Sequence, residues 1–198
     1  YTNQESISAK EFSEYSQFEQ KIASFLRVEL QPHNVAVYND TKELYHSLGF
    51  DYHDAMYLND SYGGIYLAED KLILSANNSI FYPHEIVHLY VNALDYETHG
   101  LVNEGFATFI GGSLGFDYSY HVENLKSLVQ NEKISLTEYF MDDNLQNELV
   151  GENSSFKYSF GAFLSHIVYE KKGAEGIFQL LNSGRSNDDL KSIILKIF

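Results

Sequence analysis

The chain has 198 residues, 44% of them hydrophobic, and a formal net charge of −15. That is length enough for one domain with its own core, and an evenly acidic surface repels phosphates, which excludes nucleic acid and anionic lipid as partners. Cysteine is absent, which excludes a disulfide framework, a thiolate metal site and a thiol nucleophile. No apolar run reaches the length of a membrane span, so no membrane insertion is expected. Tyr1, with no signal peptide recognisable around it, is expected to be the start of a trimmed or processed chain. The absence of cysteine beside many Tyr, Asn and Ser favours a secreted or bacterial cell-envelope protein.

Apolar residues at Phe12, Tyr15, Phe18, Ile22, Phe25, Leu26 and Leu30 recur at helical spacing, predicting an amphipathic helix over 5–30 that Pro32 ends. Residues 34–38 predict a strand. Residues 41–48 predict a helix capped by Asp40 or Thr41 and stopped by Gly49. Strands are expected at 55–58, 64–68 and 71–75, with Glu69 and Asp70 turning between the last two. Pro83 suits a first helical position, so the next helix should begin at Tyr82 or Pro83 and run to about Asp95. Further helices are predicted over 101–114, 120–132, 135–141, 155–172 (stopped by Gly173), 174–182 and 187–198. A small mixed sheet followed by helices is an α+β fold. It is expected as a single domain over 1–198, with a helix-plus-sheet subdomain at 1–80 and a helical one at 81–198.

The stretch FYPHEIVHLYV, Phe81 to Val91, sets His84 and His88 four apart with Glu85 directly after the first. Positions i and i+4 share a helix face, so both rings can offer a nitrogen to one ion. Glu85 lies roughly 100° round the helix, where it can approach a water held there. This is the H-E-x-x-H arrangement, with the glutamate as general base. The plain alternative is a surface helix with two solvated histidines. Against it, Glu85 is the only formally charged residue from Leu72 to Leu94. A helix apolar on most sides is buried, and a lone carboxylate in it calls for a cation nearby.

Catalytic zinc usually has three protein ligands. Glu104 is the only charged residue from Thr98 to Phe116, again within an apolar helix, and a divalent cation would account for both isolated carboxylates. His99 is the rival third ligand, but it precedes Gly100 in a turn, where a solvated histidine is expected. His33, His46, His53, His121 and His166 have no partner pattern and are read as structural.

HEIVH followed by NEGFA resembles the gluzincin metallopeptidases, and the second stretch is similar to the aminopeptidase-N type and to the small peptidase MA-like domains of bacteria. The resemblance implies a zincin-like fold with the sheet bordering the cleft. It also implies one Zn2+ per chain on His84, His88 and Glu104, with Glu85 as base. NVAVYNDTKELYHSLG, GGIYLAEDKLIL and YSFGAF are similar to other segments of the MA-like pattern. They imply a cleft-side strand from Gly64 that pairs with extended substrate, and Tyr158 as donor to the oxyanion. The alternative for Tyr158 is a packing residue at the start of a core helix. Thr108 stands where many relatives carry an acidic residue that orients a motif histidine, and Asn103 is the other candidate for that role. No Gly-Ala-Met-Glu-Asn segment is present, so the resemblance implies an endopeptidase rather than an aminopeptidase. The expected function is zinc-dependent cleavage of a peptide or protein substrate. The alternatives are an inactive zincin-like binding module, a zinc hydrolase of a non-peptide bond, or a metal-free helical protein that binds a partner through aromatic residues. Oligomeric state is open.

Overall fold

Ser8 starts the first helix: its hydroxyl accepts from the Glu11 N–H at 3.1 Å, and α1 runs Ala9–Leu26. It ends at Arg27, whose left-handed backbone (φ 57°) closes the last turn, so the helix stops before Leu30 and without help from Pro32. This computed structural model describes residues 7–131 and 135–198. The predicted helix start at Glu5 and the predicted end of a later helix at Glu132 lie outside them. The chain divides after Leu94 into two compact units.

In the first unit β1 (Asn34–Val37) is followed by α2 (Thr41–Ser47), capped by Asp40, whose carboxylate accepts from the Glu43 N–H at 2.8 Å. No strand forms at 55–58: Ala55 and Met56 belong to a 3-10 turn, Asp54–Met56, where the His53 ring accepts from the Ala55 N–H. A side chain bonding its own neighbouring backbone has overridden a short apolar alternation. Strands β2 (Gly64–Leu67) and β3 (Leu72–Ser75) form the expected antiparallel hairpin, and β1 joins β3 in parallel. The mixed sheet therefore has the order β1-β3-β2, with β2 at an edge. Leu74, Ala76 and Leu44 are buried together under it. Helix α3 (Pro83–Asn92) packs against α1 and β2. It groups with the sheet, although the sequence placed it with the helices that follow.

The second unit holds α4 (Gly100–Gly111), α5 (Tyr118–Gln130), α6 (Leu136–Met141), α7 (Asp143–Asn147), β4 (Leu149–Gly151), β5 (Ser154–Ser155), α8 (Phe156–Leu181) and α9 (Asn187–Ile197). Asp117 caps α5 through the Tyr120 N–H, which starts that helix two residues earlier than its apolar period indicates. The β4–β5 ribbon and α7 were not expected, being too short to carry a period. Helix α8 takes in the two predicted segments 155–172 and 174–182. Gly173, at φ 62°, kinks it where a stop was predicted. Helices α4 and α8 form the main packing of this unit, around Leu101, Val102, Phe106, Val168 and Ile177, all fully buried. They touch backbone to backbone at Gly105 and Gly161: a methyl group on Gly105 would lie 2.1 Å from the Gly161 carbonyl carbon.

The architecture is thus α+β. No helix among the described residues is long and apolar enough to cross a membrane. Replacing Gly105 with Ala should destabilise the protein by about 3 kcal/mol, because backbone, not a movable side chain, blocks the new carbon. Gly100→Ala, whose new carbon meets nothing closer than the Lys157 Nζ at 4.0 Å, should change stability by less than about 0.5 kcal/mol. Urea unfolding of the two variants checks both values.

Candidate metal centre

The segment ahead of α3 is closed by its own side chains. Asn77 Oδ1 accepts from the Ser79 N–H at 3.0 Å and from the Ser75 hydroxyl at 2.7 Å, while its amide donates to the Phe81 carbonyl at 3.1 Å. Pro83 then occupies the first turn, as predicted, and Tyr82 is the N-cap residue, with no capping bond from its side chain. His84 and Glu85 follow at once and are buried, at 2% and 6% exposure. The helix N-terminus favours negative charge at Glu85. The His84 and His88 rings stand edge to face, 4.7 Å between centroids and 78° between planes, and the Tyr82 ring stacks on His84 at 6.2 Å.

Glu104 lies on α4, partly exposed. One donor atom each from His84, His88 and Glu104 lies within 4.8 Å of the other two. Two imidazole nitrogens and a carboxylate oxygen are a donor set that suits zinc. Donors sharing a tetrahedral zinc stand roughly 3.3 Å apart, given bonds of about 2 Å, so the spacing is of the right order. These residues can hold a metal ion.

His99, the rival ligand, has another role. It is buried, at 3% exposure, and caps α4, its Nδ1 accepting from the Leu101 N–H at 3.2 Å. The solvated turn expected from Gly100 is therefore wrong: the ring is used to start the helix that carries Glu104. The Thr108 hydroxyl donates to the Glu104 carbonyl at 2.8 Å, one turn back on its own helix. Tyr158 sits half-buried in the first turn of α8, its N–H bonded to the Ser155 hydroxyl at 3.4 Å and its ring edge-on to His121 at 6.0 Å.

The other histidines make structural bonds. His33 meets the Tyr15 hydroxyl and the Gln31 carbonyl, and His46 the Phe50 carbonyl. His121 ties Ser154 to the Ser113 carbonyl, and His166 pairs with the Tyr118 hydroxyl. One neighbour of the site was missed. Burial first, and then the charge of Glu85, hold the Tyr45 hydroxyl above its ordinary value, which places this α2 tyrosine within electrostatic reach of Glu85. Nothing in the helical pattern of 41–48 distinguishes it.

No family model, curated protein or solved structure matches the chain.

Burial pushes the His99 imidazole below its ordinary 6.5, against opposing pulls from Asn187 and Asp143, with Lys157 adding to the lowering. The unfolded chain therefore takes a proton near pH 6.5 that the folded chain refuses. Stability from this group is complete above that pH and is lost as pH falls through the depressed folded value. In metal-free protein the urea midpoint should drop between about pH 7 and pH 5. The drop should be smaller in His99→Asn, which keeps a capping oxygen and has nothing to titrate. Equal drops in the two proteins would rule out this role.

Proposed function

We propose that the chain is a zinc-dependent peptidase of the gluzincin type, cleaving within peptide or protein substrates. The supporting observation is the donor group itself: His84 and His88 of the HEIVH helix and Glu104 of the NEGFA helix have donor atoms within 4.8 Å, and Glu85 is buried directly beside His84. Bound there, zinc would supply Lewis acidity, polarising a carbonyl and lowering the pKa of water toward about 7.

The chain's own residues do the rest. Glu85 accepts a proton from the water that attacks the peptide carbonyl carbon. It returns that proton to the amide nitrogen as the C–N bond breaks. Burial keeps bulk water from competing for the carboxylate, and the first turn of α3 favours its charge. The Tyr158 hydroxyl donates to the oxygen that gains charge during attack. β2, at an edge of the sheet, offers backbone N–H and C=O groups to an extended substrate. The lack of an amine-anchoring segment favours internal cleavage over removal of N-terminal residues.

Metal analysis with a peptide-library digest tests the proposal. Wild type should take up one zinc and cleave. Glu85→Gln should keep the zinc and lose activity by about 10³-fold, the scale of a missing general base. Zinc uptake by wild type without cleavage of any library member would leave a zincin-like binding module instead. Tyr158→Phe should lower kcat by about 10²-fold with KM little changed, the mark of an interaction made only in the transition state. An unaltered kcat would return Tyr158 to packing.

A further inference from the structure

The first turn of α3 carries one of the three proposed metal donors, His84, and the proposed base, Glu85, with His88 one turn on, yet its N-cap residue, Tyr82, makes no capping bond with its side chain. Besides Asn77, the segment in front of it is held from nearly seventy residues away. One oxygen of the Glu11 carboxylate, on α1, accepts from both the Ser79 hydroxyl at 2.5 Å and the Ile80 N–H at 2.9 Å. The Ser79 hydroxyl in turn accepts from the Phe81 N–H at 3.0 Å. The Phe81 ring is gripped edge-on by Tyr15 and Phe18, one and two turns further along α1, at 6.4 and 5.7 Å. Near the far end of α3, the Tyr90 hydroxyl donates to the Glu19 carboxylate at 3.0 Å. α1 thus runs along α3 and is fastened to it at both ends.

We infer that α1 is a splint for the metal helix and that Glu11 is its positioning residue, fixing the path of 79–81 and so the direction in which the His84 ring is presented. This rests on the metal-site reading above. Phe81 is followed only by Tyr82 and Pro83 before His84. Proline has a fixed φ, so little freedom remains to absorb a shift at residue 80 before it reaches the ring. A carboxylate that accepts two bonds at one oxygen acts through geometry, and its charge is not required. A carboxamide oxygen at the same place would serve.

The test is zinc affinity by chelator competition, together with the visible spectrum of the cobalt(II)-substituted protein, in wild type, Glu11→Ala, Glu11→Gln and Ser79→Ala. Glu11→Ala should weaken zinc about tenfold, at the lower end of what losing an outer support costs, and should alter the cobalt bands. Glu11→Gln should stay within about threefold of wild type and keep the wild-type spectrum. If Glu11→Ala loses its helical circular dichroism, Ser79→Ala decides: it deletes only one hydroxyl and should shift affinity the same way. Unchanged affinity and spectrum in the folded variant overturn the splint and leave the metal site standing. Failure of Glu11→Gln to rescue overturns the geometric role. If wild type takes up no zinc or cobalt, the metal-site reading fails and the inference falls with it.

Discussion

A histidine and a glutamate placed side by side in an apolar helix must be hydrogen-bonded or paired with charge, because an isolated buried charge costs several kcal/mol or neutralises itself. His84 and Glu85 set that requirement in this chain, and much of the surrounding structure answers it. Their helix is packed along α1, its leading segment is closed by Asn77 and Ser79, and its first turn is occupied by proline. A helix whose start is over-determined in this way holds the side chains of its first turn in a fixed direction. The acidic composition sharpens the point. With a net charge of −15, the molecule as a whole would attract a divalent cation. Only a site of fixed nitrogen and oxygen donors would select where it rests.

Glu104 is held by different means. Its helix is set by the bare approach of Gly105 to Gly161, which lets α4 lie against α8 without side chains between them. Its N-terminus is closed by a buried histidine ring rather than by the usual short polar side chain. Two devices, one steric and one polar, act on either side of a single carboxylate. The first tolerates no added atom. The second depends on an imidazole staying neutral, so the same helix is sensitive to packing and to acid for unrelated reasons.

The eight histidines show how one residue type divides between roles. His33, His46, His53, His99, His121 and His166 make bonds to backbone groups or hydroxyls that fasten turns, caps and the β4–β5 ribbon. His84 and His88 form the donor group with Glu104. Reading five of the six as structural needed only the absence of a ligand spacing around them. His99 was harder, because a capping histidine and a ligand histidine in a turn have the same local sequence, and only burial and the Leu101 N–H separate them.

What the sequence determined by itself is what local periodicity can carry. The four-residue spacing set both motif imidazoles on one face of α3, Pro83 marked where that helix begins, and the lone charge at 104 singled out a carboxylate within an apolar helix. The β2–β3 hairpin and the break at Gly173 were legible for the same reason, since each depends on residues adjacent in the chain. Where a side chain competed for its own backbone, as at His53, the pattern misled. Tertiary structure alone decided that the donor atoms of His84, His88 and Glu104 come within reach of one another. It alone set Tyr45 near Glu85 and Glu11 against Ser79 and Ile80. A helix or strand repeats over a few residues and specifies which way a side chain faces. What it faces is settled by how whole elements pack, and no periodicity in a single chain records that.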